Sequence, residues 1–127
     1  MSNAPHSIRL NGPWQAYLAP GADPTRLHLP RDWSSIPLET CDTGLKLTRF
    51  FNAPTGLAAD DEVVLVLDAI PISGRVTLNG QMLGVSPGSE RFDITTQLAP
   101  RNELEIAGLL LEAGDQVGEV RLEIFAR

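Results

Sequence analysis

Cysteine and lysine are almost missing from this chain of 127 residues: one of each, Cys41 and Lys46. A lone cysteine excludes an internal disulfide and any zinc site built from several thiolates. No histidine stands near Cys41 in sequence, so a buried or idle thiol is expected rather than a nucleophile. The two histidines, His6 and His28, lack a metal-ligand spacing. Basic charge is scarce as well: 10 Lys and Arg against 16 Asp and Glu give a net charge of −6. That balance argues against nucleic acid and against an anionic membrane surface, since both require a basic patch. No N-terminal apolar stretch reads as a signal peptide or a membrane span, and a cytoplasmic location is the default expectation.

Catalytic signatures are missing too. No Gly-x-Ser-x-Gly elbow, phosphate-binding glycine loop or His-Glu-x-x-His motif occurs. With 16 carboxylates some close pairs arise by chance, so pairing alone does not identify a glycosidase. The expectation is a protein that is not an enzyme and that calls for no cofactor. Helical periodicity is equally sparse. Only residues 109–113 invite a helix, and Gly108 and Gly114 bracket them too tightly.

What is present is the punctuation of many short strands. The chain is 43% hydrophobic, with 11 Gly and 10 Pro distributed along it, as suits an all-β globular domain. Residues 1–7 read as a loose tail and residues 8–127 as one domain. Strands are expected at 8–10, 14–18, 25–29, 45–53, 62–68, 75–79, 81–85, 90–94, 102–107 and 119–125, with a long loop over 31–44. Alternation assigns faces: Leu104 and Ile106 in with Glu103 and Glu105 out, and Val120, Leu122 and Ile124 in with Arg121 and Glu123 out. The run Val63–Leu67 is apolar on both faces, as a central strand would be. Asn79-Gly80 between apolar runs marks a two-residue hairpin, because both residues tolerate the positive φ of a type I′ turn. About eight to ten short strands of this kind predict an antiparallel two-sheet β-sandwich.

Four blocks in order carry a family resemblance. They are Leu10-Asn11-Gly12-Pro13-Trp14, Leu27-His28-Leu29-Pro30-Arg31-Asp32-Trp33, Leu47-Thr48-Arg49-Phe50-Phe51-Asn52-Ala53-Pro54, and the hairpin block ending Phe92-Asp93-Ile94-Thr95 with Leu98, Asn102, Leu104 and Ile106. Over roughly residues 8 to 125 the chain resembles the N-terminal sugar-binding domain of glycoside hydrolase family 2, the β-galactosidase and β-glucuronidase group. The resemblance implies a galactose-binding-like jelly roll and a carbohydrate-associated role. It carries over no catalytic residue, because family members draw their catalytic glutamates from a later barrel, and the expectation is a domain standing without one. Three positions depart from the family pattern: Lys46-Leu47 replaces an aromatic-Tyr pair, Arg31 a histidine and Arg101 a glycine.

The candidate contacts follow from chemistry. Aromatic faces stack on sugar rings; Trp14 in an alternating strand reads as a core residue, while Trp33 at a strand-to-loop junction suits packing under the long loop, the favoured reading, or a ligand platform. Arg49 and Arg91 each suit either a structural ion pair or a bidentate clamp on an anionic sugar. His28 alternates outward beside Asp32. Asp93 either bonds local backbone at the strand end or, as the less favoured alternative, holds a structural calcium. The acidic run Asp60-Asp61-Glu62 reads as a solvated turn. Two functions remain open: a non-catalytic carbohydrate-binding module, or an orphaned structural or protein-interaction module. A piece of a longer glycosidase is a third. The sequence leaves the sugar and the oligomeric state undetermined.

Overall fold

The computed structural model describes residues 6–19, 21, 23–29, 31–36, 44–111 and 118–126. Its strands are β1 (His6–Arg9), β2 (Trp14–Tyr17), β3 (Thr25–Leu27), β4 (Leu45–Asn52), β5 (Glu62–Asp68), β6 (Ile72–Leu78), β7 (Gln81–Ser86), β8 (Glu90–Asp93), β9 (Arg101–Leu110) and β10 (Glu119–Phe125). They form two antiparallel sheets, one ordered β1-β10-β5-β8 and the other β3-β2-β4-β9-β6-β7. The expected two-sheet sandwich is therefore observed. Cys41 lies outside the described residues, as do residues 37–43 of the loop expected over 31–44.

Alternation builds the core. The six-stranded sheet sends Leu45, Leu47 and Phe51 of β4, Leu104 and Ile106 of β9, and Val76 and Leu78 of β6 inward. They meet Val63, Leu65 and Leu67 of β5 and Val120 and Leu122 of β10 from the other sheet. Burying a large aliphatic side chain contributes roughly 1.5–3 kcal/mol, so this two-sided row holds the layers together. Trp14 is fully buried, and its indole Nε1 donates to the Leu10 carbonyl at 2.6 Å.

Asn79 and Gly80 both have positive φ, 54° and 80°, and join Leu78 to Gln81 in a tight turn. The ladder slips between Val76 and Thr77, where β7 carries an extra residue. Local pattern cannot foresee such a bulge, because it arises from fitting two twisted strands to one core.

Several boundaries differ from the sequence expectation. β1 begins at His6, inside the supposed tail, because it pairs with β10 from His6↔Ile124 to Arg9↔Arg121. β3 stops at Leu27, and residues Arg31–Ser35 form a 3-10 turn within the supposed loop. The carboxylate of Asp32 accepts the His28 backbone N–H at 2.7 Å, which folds the chain back there. That bond, with help from Arg31, lowers the Asp32 pKa. β9 runs on to Leu110, three residues past its expected end at 107. Pairing with Ile72 and Ser73 of β6 extends it. Among the described residues no helix is long and apolar enough to cross a membrane.

Val66 faces away from the core yet is only 3% exposed. Its cross-strand neighbours are Arg121 and Arg91, whose aliphatic stems can shield apolar surface. Among the described residues no third sheet lies over this face of β5.

Candidate functional site

The outer face of the six-stranded sheet carries a cleft of about 430 Å³. Register explains how it is built. Tyr17 of β2, Lys46 of β4, Ala107 of β9 and Arg75 of β6 fall in one cross-strand row on the solvent side. Gly44, Ala107 and Gly108 line the floor with nothing larger than a methyl group. The small floor makes the hollow, and the flanking Tyr17, Lys46 and Arg75 provide its chemistry. Lys46 Nζ lies 4.8 Å from the centroid of the Tyr17 ring and 3.8 Å from a Glu105 carboxylate oxygen. This arrangement holds a half-buried aromatic ring beside two cationic donors, which is the mixture of apolar face and convergent polar groups that a small polar ligand requires.

The residues singled out from sequence are not brought together. Trp33 is buried, and its indole Nε1 donates to the Gly118 carbonyl at 2.6 Å. Its ring packs in the core, the favoured of the two readings weighed for it, and the ligand-platform alternative finds no open face there. Arg91 lies on the far sheet, where its guanidinium donates to Glu123 at 2.8 Å. Glu123 also accepts from Arg121 Nε at 2.9 Å, while Arg121 bridges to Asp68 and Glu119. Glu123 is 8% exposed. Burial pushes its pKa up, but the bonds from Arg91 and Arg121 outweigh burial and leave it below the ordinary glutamate value. Asp68 and Glu123 chiefly raise the Arg121 pKa in return. The structural ion pair weighed for Arg91 is thus formed.

Asp93 makes local bonds, accepting the Thr95 backbone N–H at 3.0 Å and the Thr95 hydroxyl at 2.6 Å. The same two bonds lower its pKa. Asp61 similarly accepts the Ala58 N–H at 2.8 Å. Among the described residues no group of three or more His, Cys, Asp or Glu side chains is placed to hold a metal. His28 is exposed just beyond β3.

Arg49 departs from its expected pairing. It occupies the inward-facing register of β4 between Leu47 and Phe51, and no carboxylate among the described residues pairs with it. Its guanidinium donates to the Phe50 carbonyl, and its buried Nε has no hydrogen-bond partner. Burial accordingly lowers its pKa.

Sequence reasoning missed Tyr17 and Arg75 and treated Lys46 only as a departure from a pattern. Each is an outward position on its own strand. Their convergence depends on register across four strands, which no single segment displays.

The described residues form a small antiparallel β-sandwich with a cleft on the outer face of its six-stranded sheet. No protein-family model matches the sequence, and no curated protein is similar to it. Solved structures share its fold. The chain aligns with a β-glucuronidase of Bifidobacterium dentium at a TM-score of 0.73 and 19% identity, covering 98% of this chain and 30% of that one. A β-D-glucuronidase of Dictyoglomus thermophilum aligns at 0.74 and 14% identity, covering 100% and 29%. A putative β-galactosidase from Bacteroides fragilis gives 0.69 and 16%, covering 95% and 23%. The chain therefore spans less than a third of the length of these proteins, as a single domain of each would.

Proposed function

We propose that this domain is a non-catalytic carbohydrate-binding module and that its sugar site is the Tyr17–Lys46–Arg75 cleft. One observation carries the reading: a half-buried aromatic ring and two cationic donors surround a floor of glycine and alanine. A sugar ring offers axial C–H faces to an aromatic and hydroxyls to donors. Because sugars are strongly hydrated, affinity is expected on the order of mM to µM. Arg49 belongs to a different place on the surface, and Trp33 and Arg91 support the scaffold. The fold shared with glycosidase domains fits this reading.

The test is a titration of 15N-labelled protein with neutral mono- and oligosaccharides, with and without calcium. Saturable amide shifts at Tyr17, Lys46 and Gly108, lost in Tyr17→Ala, are expected. No shift across galactosides, glucosides and longer glycans would discard the proposal.

A second reading, a protein-interaction module, is favoured by a specific feature. Phe50, Met82, Val85 and Leu109 are exposed, and all four project from the outer face of the six-stranded sheet. Exposed apolar groups on one face are what a partner would cover. Self-association or partner capture blocked by Met82→Lys and Val85→Lys, with no sugar response, would favour it over the first.

A further inference from the structure

At the other end of β4 from the cleft, a recess of about 350 Å³ opens between that strand and β1. Three arginines line it, Arg9, Arg49 and Arg101, and among the described residues none that lines it is acidic. In a chain of net charge −6, a hollow with only positive charge in its wall is unexpected by composition. The topology makes the opening. β2 pairs with β4 only from Lys46 to Thr48, so the stretch from Arg49 to Asn52 has no strand beside it on that flank among the described residues. Arg49, inward by register, emerges into the gap.

The three guanidinium groups are not equally engaged. Arg9 is 3.4 Å from Glu119 and its side chain is 69% exposed. Arg101 lies over the Phe50 ring, 5.2 Å from its centroid. Among the described residues Arg49 has neither an acidic partner nor, at its buried Nε, any acceptor. A buried, unpaired donor on a cation is costly in a folded protein, and such groups are usually satisfied by something. Ile8, Leu10 and Leu122 make part of the wall apolar.

We propose that the recess is a carboxylate-binding site, in which Arg49 takes the two oxygens of a small ligand and Arg9 and Arg101 supply field at the rim. The planar fork of a guanidinium matches a carboxylate edge on. The apolar part of the wall suits a small organic body behind the charge better than a fully hydrated phosphate. This site is separate from the Tyr17 cleft and does not depend on sugar binding there.

The experiment follows the Arg49 Nε–H resonance and the Phe50–Asn52 amides of the 127-residue chain. The probes are sodium acetate, sodium galacturonate, galactose and inorganic phosphate. Saturable shifts with galacturonate and none with galactose are expected. Acetate binding as tightly as galacturonate assigns the site to carboxylates in general, whereas tighter galacturonate assigns it to acidic sugars; both support the proposal. Arg49→Met should weaken binding at least about tenfold, the loss of a charge-assisted hydrogen bond, and raised salt should weaken it further. If Arg49→Met does not fold, Arg101→Gln at the exposed rim decides by a smaller loss of affinity with fold retained. Equal response to galactose, saturation by phosphate alone, no saturation by any probe, or unchanged affinity in the variants would overturn the proposal.

Discussion

Asn102→Ala should be among the most damaging single changes in the domain. Asn102 is fully buried in β9. Its Oδ1 accepts the Ala99 backbone N–H at 2.8 Å and the Asn79 Nδ2 at 3.0 Å. Its Nδ2 donates to the Ala99 carbonyl at 2.9 Å and to the Phe51 carbonyl at 3.4 Å. Asn79 in turn accepts the Glu103 N–H at 2.9 Å and donates to the Gln97 carbonyl at 3.2 Å. One side chain therefore ties β4, the turn before β9 and the tip of the β6–β7 hairpin together. Truncation to Ala leaves the Ala99 N–H and carbonyl without these partners. An orphaned buried group costs about 1–3 kcal/mol, and local relaxation recovers part, so about 3 kcal/mol is expected in total. For a domain of this size that corresponds to a fall in Tm of roughly 10 °C. Urea unfolding should show a lower midpoint with an unchanged m-value. Asn102→Asp adds a sharper check. It keeps both acceptor bonds but turns an oxygen towards the Ala99 carbonyl, and burial should raise its pKa. The variant should therefore recover stability as the pH falls through that raised value and the acid regains a donor. A loss below about 1 kcal/mol for the alanine variant, against that orphaned-group cost, would refute the account.

Two further predictions rest on the same reasoning. The folded pKa of Glu123 is depressed, so its contribution is present above the ordinary glutamate value and is lost as the pH falls through the lower folded value; the stability gap between the native protein and Glu123→Gln should be largest near neutrality and shrink towards pH 3, and a gap independent of pH would contradict this. Gly108→Ala should destabilise by about 3 kcal/mol or more, because the new Cβ would fall on the Ser73 carbonyl oxygen and within 2.5 Å of Gly74 Cα across the β6–β9 ladder; chemical denaturation midpoints equal to the native value would show that the strands can part there at little cost.

Local information carries a definite share of this protein. Alternation placed Leu104, Ile106, Val120 and Leu122 inside, because side chains on a strand point to opposite faces whatever the partner is. Asn79-Gly80 specified its hairpin because two consecutive positive φ values are tolerated by few other pairs. The order of strands and turns was enough to anticipate two antiparallel sheets. Tertiary structure decided the rest. Trp33 left packing and platform both open in the sequence, and the 3-10 turn at Arg31–Ser35 places it in the core with its indole on the Gly118 carbonyl. Arg91 found Glu123 across a sheet and became scaffold. Tyr17, Lys46 and Arg75 form one cleft only because three ladders align them. Among the described residues Arg49 has no counter-ion, and it stands beyond the last β2 pair on β4, which is a property of pairing and not of any segment. Strand pattern is a short-range consequence of backbone geometry. Register, edge and charge neighbourhood are settled between residues far apart in the chain, and the candidate sites depend on them.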